Sequence, residues 1–278
     1  MQPGIFGKTF ATTGALATLR AVAEAGYGAA QFNFASLGLP SMPDSIADTD
    51  AASVGAAARQ TGVSIAAVSG TYNMIHPDRQ VRAAGLRQLA ELCRACPAIG
   101  TGMVTLCTGT RDANDQWRWH PDNASAQAWR ELVREMTAAA AIAERFGVKL
   151  GIEPELANVV SSAAHARRLL DEIGSPALRI VLDPANLFET ADASARRNLV
   201  DEAVALLAGD IAMAHAKDRS ANGTFVAAGR GVIDFRHFIA TLKAAGFDGP
   251  LVTHGLAAHE AAGVAAFLRA TLEAEDAL

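Results

Sequence analysis

Four apolar stretches of this sequence run into side chains that handle protons or metals. They are Glu153 and Glu155 in GIEPE, Asp183 and Asn186 in VLDPAN, His215, Lys217 and Asp218 in HAKD, and His254 in LVTHG. An ionised carboxylate inside an apolar run needs a cationic partner, so Glu153 and Asp183 point to a buried salt bridge, a metal or a catalytic role. A lone His215 reads as a hydrogen-bonded core histidine, but beside two acids it becomes a ligand candidate. Two carboxylates and two imidazoles form a mixed oxygen and nitrogen donor set, which suits one divalent ion: Mn2+ or Zn2+ first, then Fe2+, Mg2+ or Co2+.

These residues are far apart in sequence, so the fold must bring them together. Helical patterns stop at Gly26, Gly62, Gly147, Gly174 and Gly246, and a short apolar run follows each glycine. Trp129, Leu132, Val133, Met136, Ala140 and Ala143 mark one apolar helix stripe. Strand candidates at 4–10, 28–34, 63–70, 103–109, 148–155, 179–186, 211–218 and 250–256 alternate with such helices. Eight strand-helix units without a linker predict a single α/β domain over 1–278, a closed (β/α)8 TIM barrel with a parallel eight-stranded sheet. No glycine-rich dinucleotide fingerprint follows the first strand, which disfavours an open doubly wound sheet.

In a closed barrel, the C-terminal strand ends converge on one mouth. Glu153, Asp183, His215 and His254 are therefore expected to share a site, with Lys8, Asn33, Asn73 and His76 at comparable positions after strands one to three. His76 and His120 each precede a proline and can equally fix a turn. The long stretch TRDANDQWRWHPDN, residues 110–123, reads as a lid, in which Trp117 or Trp119 lines the pocket.

A net charge of −5 without a long arginine run argues against a nucleic-acid or anionic-membrane surface. The N-terminus lacks the pattern of a signal peptide, and Cys93, Cys96 and Cys107 form no disulfide framework, so a cytoplasmic setting is expected. The CxxC of Cys93 and Cys96 falls late in a helical pattern and reads as packing.

GIEPE, VLDPANLF, AHAKDR and the later GRGVIDF…LKAAGFDGPLV resemble the sugar phosphate isomerase/epimerase group of xylose isomerase-like TIM barrels. The resemblance implies one divalent metal held by a Glu after strand five, an Asp after strand six, a His after strand seven and a Glu after strand eight. Glu153, Asp183 and His215 match, whereas His254 stands in place of the last glutamate. Asn186 stands where many ketose epimerases have a substrate-binding histidine. The implied chemistry is proton transfer next to a carbonyl through an enediolate, with Glu153 as one acid/base and His254 in the second position.

Replacing a glutamate by histidine makes the formal charge of the ligand set less negative, from about −3 to about −2. With Lys8, Arg111, Lys217 or Arg230 nearby, the mouth is expected to favour an anionic sugar acid or sugar phosphate. Candidate substrate contacts are Lys8, Asn33, Asn73, His76, Arg111, Trp119, Glu155, Asn186, Lys217 and Arg230. The expected partner is a small carbohydrate, with no nucleic acid and no membrane, and a homo-oligomer is compatible. Two alternatives remain open: a dehydratase of a keto-inositol or dehydroshikimate-like substrate, and a sugar-binding barrel without catalysis. DNA repair by a related metal-rich barrel is disfavoured by the small histidine set and the lack of a basic face.

Overall fold

A computed structural model describes residues 1–276. The chain alternates β1 (Gln2–Phe6), α1 (Ala15–Glu24), β2 (Ala29–Phe32), α2 (Asp48–Thr61), β3 (Ser64–Ser69), α3 (Arg79–Ile99), β4 (Met103–Cys107), α4 (Ala126–Phe146), β5 (Lys149–Glu153), α5 (Ala163–Ile173), β6 (Leu178–Leu182), α6 (Ala193–Leu207), β7 (Ile211–Arg219), β8 (Phe225–Ala227), α7 (Phe235–Ala244), β9 (Pro250–Thr253) and α8 (Ala261–Asp276). β1 to β7 and β9 pair in parallel, and β9 closes the ring against β1 and β7. The expected TIM barrel is therefore present. No helix among the described residues is long and apolar enough to cross a membrane.

One element departs from strict strand-helix alternation. β8 folds back antiparallel onto the end of β7, pairing Lys217 with Ala227 and Arg219 with Phe225. Asn222 and Gly223 supply its turn, with Gly223 at φ 88°, and Asn-Gly between extended runs is a hairpin signal.

Helix boundaries follow local chemistry. Ser125 caps α4 by accepting from Ala128 N, and Gly147 ends that helix at φ 67°. Trp129, Leu132, Met136, Ala140 and Ala143 of α4 are buried and Val133 is half-buried. Cys93 and Cys96 are buried on α3, and burial pushes both thiols up to about 12, in keeping with packing.

The barrel interior explains how the site is aimed. Ala67, Met103, Val181, Met213 and Val252 form a buried apolar layer inside the ring. Full burial of a valine or methionine side chain contributes roughly 1.5–3 kcal/mol, which fixes which strand face points inward. Strand side chains alternate, so the next inward position lies two residues on. From Val181, Met213 and Val252 that step reaches Asp183, His215 and His254, and from Gly151 it reaches Glu153. Gly151 is needed small, because a Cβ there would meet Val181 Cγ2 at 2.7 Å.

Candidate metal centre

Glu153 ends β5, Asp183 follows β6, His215 lies within β7 and His254 follows β9. One ligand atom from each lies within 4.8 Å of the others. His215 Nδ1 is 3.1 Å from Glu153 Oε1 and 3.9 Å from Asp183 Oδ2. His254 Nε2 is 3.4 Å from Asp183 Oδ2, and the two imidazoles meet edge-on with centroids 4.5 Å apart.

The donor set fits a divalent cation on two grounds. His254 Nε2 is buried and makes no well-formed hydrogen bond, and Asp183 Oδ2 beside it is neutralised by the Lys217 ammonium alone, although an unpaired buried polar atom is costly and rare. A cation between them would turn both into ligands. The second ground is the state of His215. Its Nε2 lies 3.0 Å from Gln31 Oε1, while Gln31 Nε2 donates to Thr105 Oγ1 at 3.1 Å. Gln31 therefore presents an acceptor to Nε2–H, which leaves the Nδ1 lone pair facing the carboxylates.

Neighbouring contacts tune the acids. Asn186 Nδ2 donates to Glu153 Oε1 at 2.8 Å, and Lys217 Nζ donates to Asn186 Oδ1 at 3.1 Å. Burial opposes ionisation of Glu153, but His215 and Lys217 hold its carboxyl below the ordinary range. Asp183 behaves likewise: burial is outweighed by Lys217, whose Nζ lies 3.1 Å from Oδ2, and by the two histidines. Lys217 is buried, which disfavours its charge, yet Asp183, Glu153 and Glu155 raise it. Burial first, with Lys217 adding to it, lowers His254 against the opposing pull of Asp183 and favours its neutral, metal-binding form. Glu155 is pushed up to about 8 by burial and then by Glu153.

A cavity of about 870 Å3 opens above these residues, within the roughly 300–1,000 Å3 of small-molecule sites. Lys8, Asn33, Trp119, Glu155, Asn186 and Lys217 line it, as does Trp117. Trp117 and Trp119 are 50% and 57% exposed and offer aromatic faces at the mouth. The base of their loop is braced, with Asp112 accepting from Asn114 N, Asp115 N and Arg118 Nε.

Four expected substrate contacts sit elsewhere. Asn73 is buried and bridges loops, donating to Thr110 O and accepting from Thr110 N. His76 pairs Nε2 with Ala113 O and accepts from Asp78 N through Nδ1, which fixes a turn. Arg111 donates to Ile75 O and pairs with Glu131, turned toward α4. Arg230 is exposed beside Glu260 and Phe267, in a separate small cavity. Asp218 is a scaffold residue that accepts from Gly229 N, Gly231 N and Ile233 N.

Other pocket residues escaped the sequence reading. Arg219 and Phe225 enter through the β7–β8 hairpin, where Phe225 is stacked by Lys217 at 4.1 Å and Arg219 at 4.0 Å. Arg118 comes from the tryptophan loop. Gln31 carried a usable signal, because it lies two residues after buried Ala29 on β2, the same step that reaches Asp183 from Val181.

Residues 19–271 match the family described as Xylose isomerase-like TIM barrel. The chain belongs to this family. Among solved structures, this xylose isomerase-like barrel is similar to 3-keto-D-glucoside 4-epimerase, YcjR, from E. coli, with TM-score 0.76 and 18% identity over 97% of this chain and 99% of that one. An L-ribulose 3-epimerase gives TM-score 0.76 and 18% identity over 99% and 95% of the two chains. A D-psicose 3-epimerase determined with D-fructose gives TM-score 0.73 and 14% identity over 98% and 99%. At these identities the likeness shows the fold alone. No curated protein matches the sequence.

Proposed function

We propose that this barrel is a metal-dependent isomerase or epimerase of a keto-sugar, sugar acid or sugar phosphate. The observation that carries the reading is the Glu153, Asp183, His215 and His254 cluster, with His254 Nε2 buried and unpaired, beside a cavity large enough for a sugar. The known activities of similarly folded epimerases support it.

Glu153, Asp183, His215 and His254 would hold the ion, Mn2+ or Zn2+ first. When bound, that ion supplies Lewis-acid polarisation of a carbonyl and lowers the acidity barrier at the adjacent carbon. Glu153 takes up the carbon-bound proton; its Oε1 is fixed by Asn186, and its lowered pKa keeps it ionised. Neutral His254 occupies the second position, where Nε2 would hold the ion and Nδ1–H is left as a hydrogen-bond donor. Lys217 and Asn186 orient substrate hydroxyls, and Trp117, Trp119 and Phe225 cover the mouth against water.

A dehydratase is the second reading, favoured by Glu155. A carboxyl pushed up to about 8 stays protonated at neutral pH and can donate to a departing β-hydroxyl. The deciding experiment follows solvent deuterium exchange and product formation by NMR for keto-sugars, with added Mn2+ or Zn2+ and with a chelator. Metal-dependent exchange lost in Glu153→Gln is the expected result. Exchange indifferent to metal and to that substitution contradicts the proposal, and a new conjugated ultraviolet chromophore identifies the dehydratase.

A further inference from the structure

A second cavity, of about 410 Å3, lies between the first turns of α4 and α5. Both helices begin at the C-terminal end of the barrel, so the first-turn N–H groups left over after Ser125 caps Ala128 and Ser162 caps His165 face the same side as the metal centre. Trp119 lines both cavities and forms the wall between them.

The lining of this cavity has a consistent polarity. Ser125 and Ala126 open α4, and Ser161 lies just ahead of Ser162, the N-cap of α5. Arg130 and Arg168 stand on the second turns of their helices, and both are exposed. Arg130 has no ion-pair partner among the described residues. Arg168 sits over Trp129, its guanidinium carbon 4.0 Å from the ring centroid, which removes that indole face from sugar stacking. The carboxylate present, Glu172, accepts from Trp129 Nε1 at 2.8 Å and lies 3.6 Å from Arg168 Nε. Two guanidiniums against one carboxylate leave a formal charge of +1, before the two helix ends are added.

One buried group points to a ligand independently of the helix ends. Asn158 lines the cavity and is 2% exposed. Its Oδ1 accepts from Gly109 N at 2.6 Å, whereas its Nδ2 has no partner. An amide donor left without an acceptor beside two arginines and two helix N-termini matches an anion with several acceptor oxygens.

We propose that this cavity is an anion subsite, which holds a phosphate or carboxylate carried by the substrate away from its reacting carbon. The proposal rests on the keto-sugar reading and specifies its substrate class: a sugar whose anionic end reaches past Trp119. It also relocates the cationic recognition expected from Arg111 and Arg230 to Arg130 and Arg168.

The test is calorimetric titration of inorganic phosphate and of glucuronate into metal-free protein. Three forms are compared with wild type: Arg130→Ala/Arg168→Ala, Asn158→Asp, and Lys8→Ala as a control in the central cavity. Both arginines are exposed, so their removal leaves the fold intact. Asn158→Asp keeps the oxygen that Gly109 needs and replaces the donor by an acceptor. We expect at least one probe to bind in the millimolar range or tighter, about tenfold or more weakly in the first two variants and unchanged in Lys8→Ala. The tighter probe distinguishes phosphate from carboxylate. No binding to wild type, or binding lost in Lys8→Ala and kept in the other two, overturns the subsite. Because metal-free binding is the readout, that failure leaves the keto-sugar reading to its own exchange experiment.

Discussion

Gln31 decides which nitrogen of His215 faces the metal centre, and its removal should cost metal affinity without breaking the barrel. In the metal-bound protein His215 Nδ1 must be a lone pair, so Nε2 carries the proton, and Gln31 Oε1 at 3.0 Å accepts it. Gln31→Met conserves approximate volume and removes that acceptor. Without metal the variant has an escape, since the proton can move to Nδ1 and be donated to Glu153 Oε1, 3.1 Å away. With metal no such tautomer is allowed, and Nε2–H is left buried and unpaired at about 1–3 kcal/mol. The penalty therefore falls on binding. An affinity loss of about 10- to 100-fold is expected for Zn2+ and Mn2+, the range found for groups that orient metal ligands. Competition against a chromogenic chelator measures it, while the melting temperature of metal-free protein controls for folding. Gln31→Glu retains an acceptor and should bind metal at least as well as wild type. A dissociation constant for Gln31→Met within about twofold of wild type would refute the reasoning.

Three further outcomes follow from charged groups. Glu131 is held near 2: burial opposes ionisation, but hydrogen bonds from Gln127, Arg82 and Arg111 outweigh it. Its stabilisation is present above the ordinary carboxylate value of about 4.5 and is lost as pH falls toward 2, by at most about 3 kcal/mol; acid denaturation of Glu131→Gln should lack this component. Glu155 behaves oppositely, because its folded value of about 8 lies above its ordinary one. Between about pH 4.5 and 8 the unfolded chain ionises and the metal-free folded chain does not, so wild type loses stability as pH rises. The melting-temperature advantage of metal-free Glu155→Gln should grow across that window, and a pH-independent difference contradicts it. Asp218→Ala strips acceptors from Gly229, Gly231 and Ile233 N–H groups and should destabilise by on the order of 3 kcal/mol in urea unfolding.

The barrel was legible because its strands keep their period. Apolar Val181 and Val252 must face the ring interior, and two residues further the same face delivers Asp183 and His254. Local patterning thus carried information about a site assembled over a hundred residues. That logic ends where the strands end. Asn73, His76, Arg111 and Arg230 lie in loops without a side-chain period, and hydrogen bonds to Thr110, Ala113 and Ile75 set the directions of the first three. Phe225 and Arg219 depend on the β7–β8 hairpin, whose Asn222-Gly223 turn was readable but whose fold back over the mouth requires the neighbouring strands. Gln31 lay within a strand and obeyed its period, yet a neutral amide gains meaning only opposite His215.

Anomalous diffraction from crystals loaded with Mn2+ tests the central claim most directly. The account predicts one strong peak within bonding distance of Glu153, Asp183, His215 Nδ1 and His254 Nε2, absent from crystals of Asp183→Asn. A fully loaded crystal with its peak elsewhere, or with His254 turned away from the ion, would contradict it.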